Sequence, residues 1–238
     1  AEDVDCVAYY EKPLLKFERI LETFLATWPF ALNPFLKGMP EWLDYKIKVE
    51  WTIKKLGFKN KVFFIPHHFS HAASSFYPSP FRKAAILTVD GVGEWQTTGL
   101  WKGDENNIIP LKKIDFPNSL GLLYSTFTAF LGFKVNEDEY KLMGLAAYGK
   151  PNLVHKVYKV IKVHKDGSFK LDLSYFGFRE SFSMFNKNFE KLFGKARKPE
   201  EKITQRHKDL AASIQTVTEE IYFKMLNYLY SITKTENL

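Results

Sequence analysis

Half of the histidines in this sequence, three of six, fall in the segment Pro66-His67-His68-Phe69-Ser70-His71-Ala72-Ala73. On a helix, His67 and His71 stand four apart and project from one face. That spacing lets two imidazoles share one metal ion. His68 points elsewhere. Nineteen residues after His71, the apolar run Ala84-Ala85-Ile86-Leu87-Thr88-Val89 ends in Asp90-Gly91-Val92-Gly93-Glu94. A strand ending in a carboxylate and glycines is how an α/β sheet presents a site at its edge. Asp90 offers an oxygen ligand, and Gly91 and Gly93 let backbone amides approach a phosphate. Two nitrogens and one oxygen suit a divalent first-row metal such as Fe or Zn. Each part has a plainer explanation too: a His pair at helical spacing serves as a cap or core pair, and Asp-Gly after a strand is a turn. Spacing leaves both open.

A second polar cluster is Asn136-Glu137-Asp138-Glu139-Tyr140-Lys141, ahead of the apolar run Leu142 to Ala147. Acids at a helix start oppose its dipole favourably, which accounts for Glu137 and Asp138. Glu139 and Lys141 fit that role and substrate contact equally well. No P-loop, GxGxxG, Cys-x-x-Cys or GxSxG motif occurs.

These residues need elements to hold them. Val4–Tyr10 and Lys61–Ile65 read as short strands, and Ala84–Val89, Gln96–Lys102 and Ile108–Phe116 as three more. Helical spacing covers Leu14–Leu25, Glu41–Leu56, His68–Phe76, Leu120–Leu131, Glu139–Tyr148 and Val154–Val163. Pro29, Pro34 and Pro40 break the chain between the first two. Ser119 is placed to cap the helix from Leu120. After the turn Asp166-Gly167, Phe169–Leu173 returns to extended structure. Glu180–Lys202 reads as an insertion or mobile region. Thr204–Thr233 repeats apolar residues on one face, a long amphipathic helix. Strands interleaved with helices give an α/β or α+β fold.

A lone cysteine, Cys6, excludes an internal disulfide and suits a reducing compartment; within its apolar strand it reads as an inert core thiol. The most apolar stretch, Leu21–Leu36, is interrupted by prolines and cannot span a bilayer. The chain is therefore read as cytoplasmic. Its net charge of +7 comes from lysines scattered along the chain. A nucleic-acid surface would gather them, so scattered solvated lysines are preferred over an RNA-binding module. Anionic small molecules remain compatible with the charge. The 22 Phe suit a large core or a buried interface, such as that of a homodimer.

Taken together, His67-His68-Phe69-Ser70-His71-Ala72-Ala73-Ser74-Ser75-Phe76, Leu87-Thr88-Val89-Asp90-Gly91-Val92-Gly93-Glu94-Trp95 and Glu139-Tyr140-Lys141-Leu142-Met143-Gly144-Leu145-Ala146 resemble the carbamoyltransferase family. It includes nodulation protein U and the cephamycin and tobramycin carbamoyltransferases. Tyr10 to Arg19 and Thr204-Gln205-Arg206-His207 extend the resemblance over nearly the whole chain. It implies an actin-like ATPase (ribonuclease H-like) domain similar to the universal tRNA threonylcarbamoyl-transfer protein. It further implies an O-carbamoyltransferase that takes carbamoyl phosphate and ATP through carbamoyl adenylate to a small hydroxyl acceptor. By position, His67, His71 and Asp90 match the family's metal ligands, usually assigned as iron, with zinc or magnesium as alternatives. Gly91, Gly93 and Glu94 fall where the adenylate approaches. The family's opening His-Asp loop, a further Asp ligand, its Gly-Gly-Val-Ala-Leu-Asn nucleotide segment and its carbamoyl-adenylate-forming domain have no counterpart in these 238 residues. Residues 1–238 therefore read as a partial N-terminal domain, incomplete at both ends. Its catalytic base is expected elsewhere, and the segment alone is expected to be inactive. An inactive structural fragment, or a tRNA-modifying module, is the alternative.

Overall fold

A computed structural model describes residues 4–238. It is a mixed α/β fold, with three small sheets among the described residues. The first pairs β1 (Cys6–Tyr9) in parallel with β2 (Lys61–Phe64). Between them run α1 (Pro13–Ala26), α2 (Leu32–Asp44), a 3₁₀ turn at Lys46–Lys48 and α3 (Val49–Lys55). β1 is not a core strand: Cys6 is exposed, which corrects the expectation of an inert buried thiol. With one hydrogen-bonded neighbour, β1 stays on the surface.

Of the three prolines expected to break the chain, Pro29 lies in the turn between α1 and α2, as expected, whereas the other two do not break it. Pro34 lies in the first turn of α2, where no intrahelical N–H bond is lost, and Pro40 sits inside that helix. The helix expected over 41–56 divides instead at Tyr45, whose φ of −143° is not helical.

The central unit begins with α4 (His67–Phe76) and the antiparallel meander β3 (Lys83–Val89), β4 (Gln96–Asp104) and β5 (Asn107–Asp115). Alternation along β3 decides what each face meets. Ala84 and Ile86 pack with Trp101 and Ile108 against Ala72 and Phe76 of α4. Ala85 turns to the other face and meets Leu100 and Leu229. Thr88, on the α4 side, contacts His68. Asp90 continues the even-numbered set just past the strand end, beside the α4 histidines.

The opposite face is covered by the main core. It is built from α5 (Leu120–Phe130), α6 (Glu139–Ala146), α7 (Val154–Val157), the hairpin β6 (Ile161–Val163) and β7 (Phe169–Leu171), α8 (Lys187–Phe193) and α9 (Gln205–Thr233). Leu210, Ile214, Val217, Ile221, Met225 and Leu229 form one buried stripe along α9. Thr204 and His207 close a reciprocal cap at its start.

Two expectations are overturned here. Only Val154–Val157 is helical; Ile161–Val163 pairs with β7, because the turn at Gly167 (φ +80°) brings β-branched residues into a hairpin. Residues 180–202 are packed, not mobile. They contain α8, capped by Asn186, and its Phe189 and Phe193 are buried against Phe127 and Phe130, with ring centroids 5.1 Å apart in the Phe127–Phe189 and Phe127–Phe193 pairs. Each such ring contributes about 1.5–3 kcal/mol by burial. Among the described residues, no helix is long and apolar enough to cross a membrane.

Candidate metal centre

α4 begins at His67, directly after Pro66, so His67 and His71 stand one turn apart on the face turned to the β3 end. His67 Nε2 is 2.7 Å from Asp90 Oδ2 and 3.0 Å from His71 Nε2; His71 Nε2 is 3.7 Å from the same oxygen. One ligand atom from each residue thus falls within 4.8 Å of the others. Side-chain exposure rises from 15% at His67 through 34% at Asp90 to 52% at His71. The cluster is anchored at His67 and open at His71.

Its electrostatics suit a cation. The hydrogen bond from His67, helped by the Gly91 amide, holds the Asp90 carboxyl well below the usual carboxylate range. The same bond to Asp90 raises His67 against the opposing effect of burial. Asp90 is therefore a full anion at neutral pH, facing two imidazole nitrogens at close range. His67 Nδ1 is buried without a hydrogen-bond partner, 4.0 Å from Glu11 Oε2. A carboxylate behind a ligating imidazole is the usual outer support of a His metal ligand. Two nitrogens and an anionic oxygen converging from an open side fit a divalent first-row cation. His68 takes no part. Burial pushes it down to about 4, and its Nδ1 meets Thr88 Oγ1 at 2.8 Å, which docks α4 on β3.

The loop after β3 is held by Ser119, whose cap on α5 was expected but whose bond to the loop was not, and by Gly121. Ser119 caps α5 by accepting the Leu122 amide and donates through its hydroxyl to Gly91 O at 2.6 Å. Gly121 lies so close to this loop that a Cβ there would come within 2.7 Å of Asp90 O and Gly91 N. Gly93 has a related need, since a Cβ would meet His67 Cβ at 3.0 Å. Both are glycines because backbone must approach closely.

The other expected site residues divide. The Gly91 amide donates to Asp90 Oδ1 at 2.6 Å and the Gly93 amide to Gln96 O at 2.9 Å, so both have partners within the loop. Glu94 is 7% exposed and turned inward. Its Oε1 accepts from Lys12 N at 2.7 Å and His67 N at 3.1 Å, and its Oε2 lies 3.2 Å from His67 N. Neither α1 nor α4 has a side-chain cap of its own, and Glu94 supplies the missing acceptor to both starts. Glu139 lines a cavity of about 400 Å³ together with Asp90, Gly91 and Gly121. It accepts from Ser125 Oγ and the Asn136 amide. Lys141 pairs with Asp138 at 2.7 Å on the surface and does not line that cavity.

Comparison with known proteins places the chain in a family. The family described as carbamoyltransferase N-terminus matches residues 1–238. An uncharacterised protein of Synechocystis is 48% identical over the whole chain. Nodulation protein NolNO of Sinorhizobium fredii is 31% identical over 99% of it, and an uncharacterised protein of Methanocaldococcus jannaschii is 30% identical over 81%. The matched regions span 40%, 32% and 32% of those relatives' own lengths. Matched from Ala1 to Leu238, with the two histidines and the aspartate gathered at the end of β3, the chain belongs to the carbamoyltransferase N-terminal family.

Proposed function

We propose that this chain is the metal-holding part of an O-carbamoyltransferase with an actin-like domain. The carbamoyl group passes from carbamoyl phosphate, through carbamoyl adenylate made with ATP, to a hydroxyl acceptor. Adenylate formation is assigned to a further domain. The observation carrying this reading is the convergence of His67, His71 and Asp90 within 4.8 Å in a chain of this family. These three side chains would hold a divalent cation, iron being the first choice. When bound, such an ion supplies Lewis acidity that polarises the carbamoyl oxygen.

The protein's own residues do the rest of the work assigned to this chain. Glu94 fixes the start of α4, and thereby the backbone of His67. Glu11 sets a negative charge 4.0 Å behind His67 Nδ1, which would strengthen that imidazole as a ligand for a bound cation. The cavity beside Gly91, with Glu139 on its wall, is assigned to the nucleotide. Its backbone wall at Gly91 and Gly121 lets a phosphate or ribose come close.

The test is His71→Ala in the protein's full reading frame. Metal analysis and carbamoyl-phosphate-dependent transfer should both fall to background. Full transfer by a metal-free His71→Ala protein would refute the assignment.

A further inference from the structure

Arg19 carries a buried charge that the metal cluster does not use. It lies on the inner side of α1, 8% exposed, and its Nε is buried without a hydrogen-bond partner. Glu94 and Glu11 act on it through charge alone, at a distance. Both are engaged elsewhere: Glu94 receives the Lys12 and His67 amides, and Glu11 pairs with Lys16 at 2.7 Å. Burial pushes Arg19 down to about 10, so the guanidinium stays charged at neutral pH. Its Cζ lies 5.1 Å from the centroid of the Phe116 ring. One cation–π contact offsets only part of what burying a guanidinium costs. Among the described residues, its Nε meets no acceptor.

A cavity of about 250 Å³ lies in front of it. Phe24, Phe35, Phe116 and Phe178 give it aromatic walls, and Arg179 is a second cation on its lining. Val92 and Leu122 close the side next to the metal loop. Val92 belongs to the Asp90–Glu94 loop itself, and Leu122 Cδ2 comes within 4.0 Å of a Cβ placed on Gly91. The cavity and the cluster thus share one loop.

We propose that this cavity is the acceptor subsite, in which Arg19 and Arg179 bind the carboxylate of a small amphipathic hydroxy acid. Two guanidiniums match a planar carboxylate through paired N–H donors. The aromatic walls call for an apolar body attached to that carboxylate. Inorganic phosphate and carbamoyl phosphate have no such body to cover them. The inference rests on reading the cluster as a transfer centre, and it adds the chemical class of the acceptor.

Calorimetric titration of the protein in its full reading frame tests it, using 4-hydroxyphenylacetate, the neutral 4-hydroxyphenethyl alcohol and inorganic phosphate. The acid should bind at least tenfold more tightly than the alcohol. Arg19→Met should weaken the acid by about 10- to 100-fold, as expected for losing a charge-assisted hydrogen bond, and leave the alcohol unchanged. Arg179→Gln, at a half-buried position, should weaken the acid several-fold and serves if Arg19→Met does not fold. Equal binding of acid and alcohol, or indifference to both substitutions, would overturn the proposal. So would Arg19-dependent binding of phosphate without binding of the acid, which would give the cavity to the phosphoryl donor. Binding needs neither metal nor ATP. Arg19-dependent binding without carbamoyl transfer would therefore count against the proposed function alone. Transfer to an uncharged alcohol, unaffected by Arg19→Met, would count against this subsite alone.

Discussion

Glu94 gives the sharpest test of how the site is built. Its carboxylate takes two backbone N–H groups, Lys12 and His67, at the starts of two helices. Replacing it by Ala strands both donors in a part-buried setting, at about 1–3 kcal/mol each. It also removes a negative charge from two helix N-termini, worth about 0.3–1 kcal/mol apiece. These terms overlap, so about 2–4 kcal/mol is expected in total. For a chain of this size that is a fall in Tm of roughly 5–15 °C. Glu94→Gln should cost much less. Its carbonyl can occupy the Oε1 position, which already accepts from both amides, and leaves only an unfavourable amino group opposite His67 N at the Oε2 position. Thermal melts of the three metal-free proteins by circular dichroism give the order: native, Gln slightly lower, Ala far lower. Unchanged melting of Glu94→Ala would refute the capping role. If nucleotide binding were lost at the same time, Glu94 would be a ligand contact, as its place in the sequence suggests.

Four further outcomes follow from the geometry. Gly121→Ala puts a methyl group 2.7 Å from backbone atoms of Asp90 and Gly91, which cannot rotate away; destabilisation of about 1–3 kcal/mol and weaker metal uptake are expected in denaturant melts and metal titrations. Metal uptake should weaken as pH falls through the raised value of His67, because the ion competes with that proton. In the metal-free protein the His67–Asp90 pair has the opposite profile on the alkaline side. Its contribution is fully present below the ordinary histidine value near 6.5, and is lost as pH rises through the raised one. On the acid side, Asp90's share is present above the ordinary carboxylate value and disappears as pH falls through its depressed one. A melting profile against pH that is flat in both windows would contradict the pair. Finally, exposed Cys6 should react with a thiol reagent in the native protein as fast as in unfolded chain; strong protection would contradict its placement.

Residues that act through short-range periodicity were legible in the sequence. His67 and His71 met because an α-helix repeats every 3.6 residues, and Asp90 joined them because a strand end fixes which face it takes. The α9 stripe was readable for the same reason, and the Ser119 cap from its residue type before the apolar run at Leu120. Residues that act across long separations were not. Glu94 looked like part of a ligand loop, yet its partners are amides 27 and 82 residues away. Glu11 and Arg19 sit in an ordinary amphipathic stretch that gives no local sign of what they face. Val160 to Val163 kept helical spacing but was claimed by pairing with β7, and α8 was hidden because its buried Phe residues are interspersed with charged ones.

The link from Lys12 to Glu94 also bears on the order in which the molecule forms. The β3–β5 meander closes through near neighbours, whereas this link must bring together positions 82 apart, at a correspondingly greater entropy cost. Local contacts form early and distant ones late. We therefore expect the histidine helix and the Asp90 strand to form before the N-terminal segment joins them. The same tie is then expected among the first to release in native-state opening, which hydrogen exchange at the Lys12 amide would read. A metal ion on His67, His71 and Asp90 would join α4 to the end of β3 and leave the N-terminal segment free to open, so metal should protect the His67 amide from exchange more than the Lys12 amide.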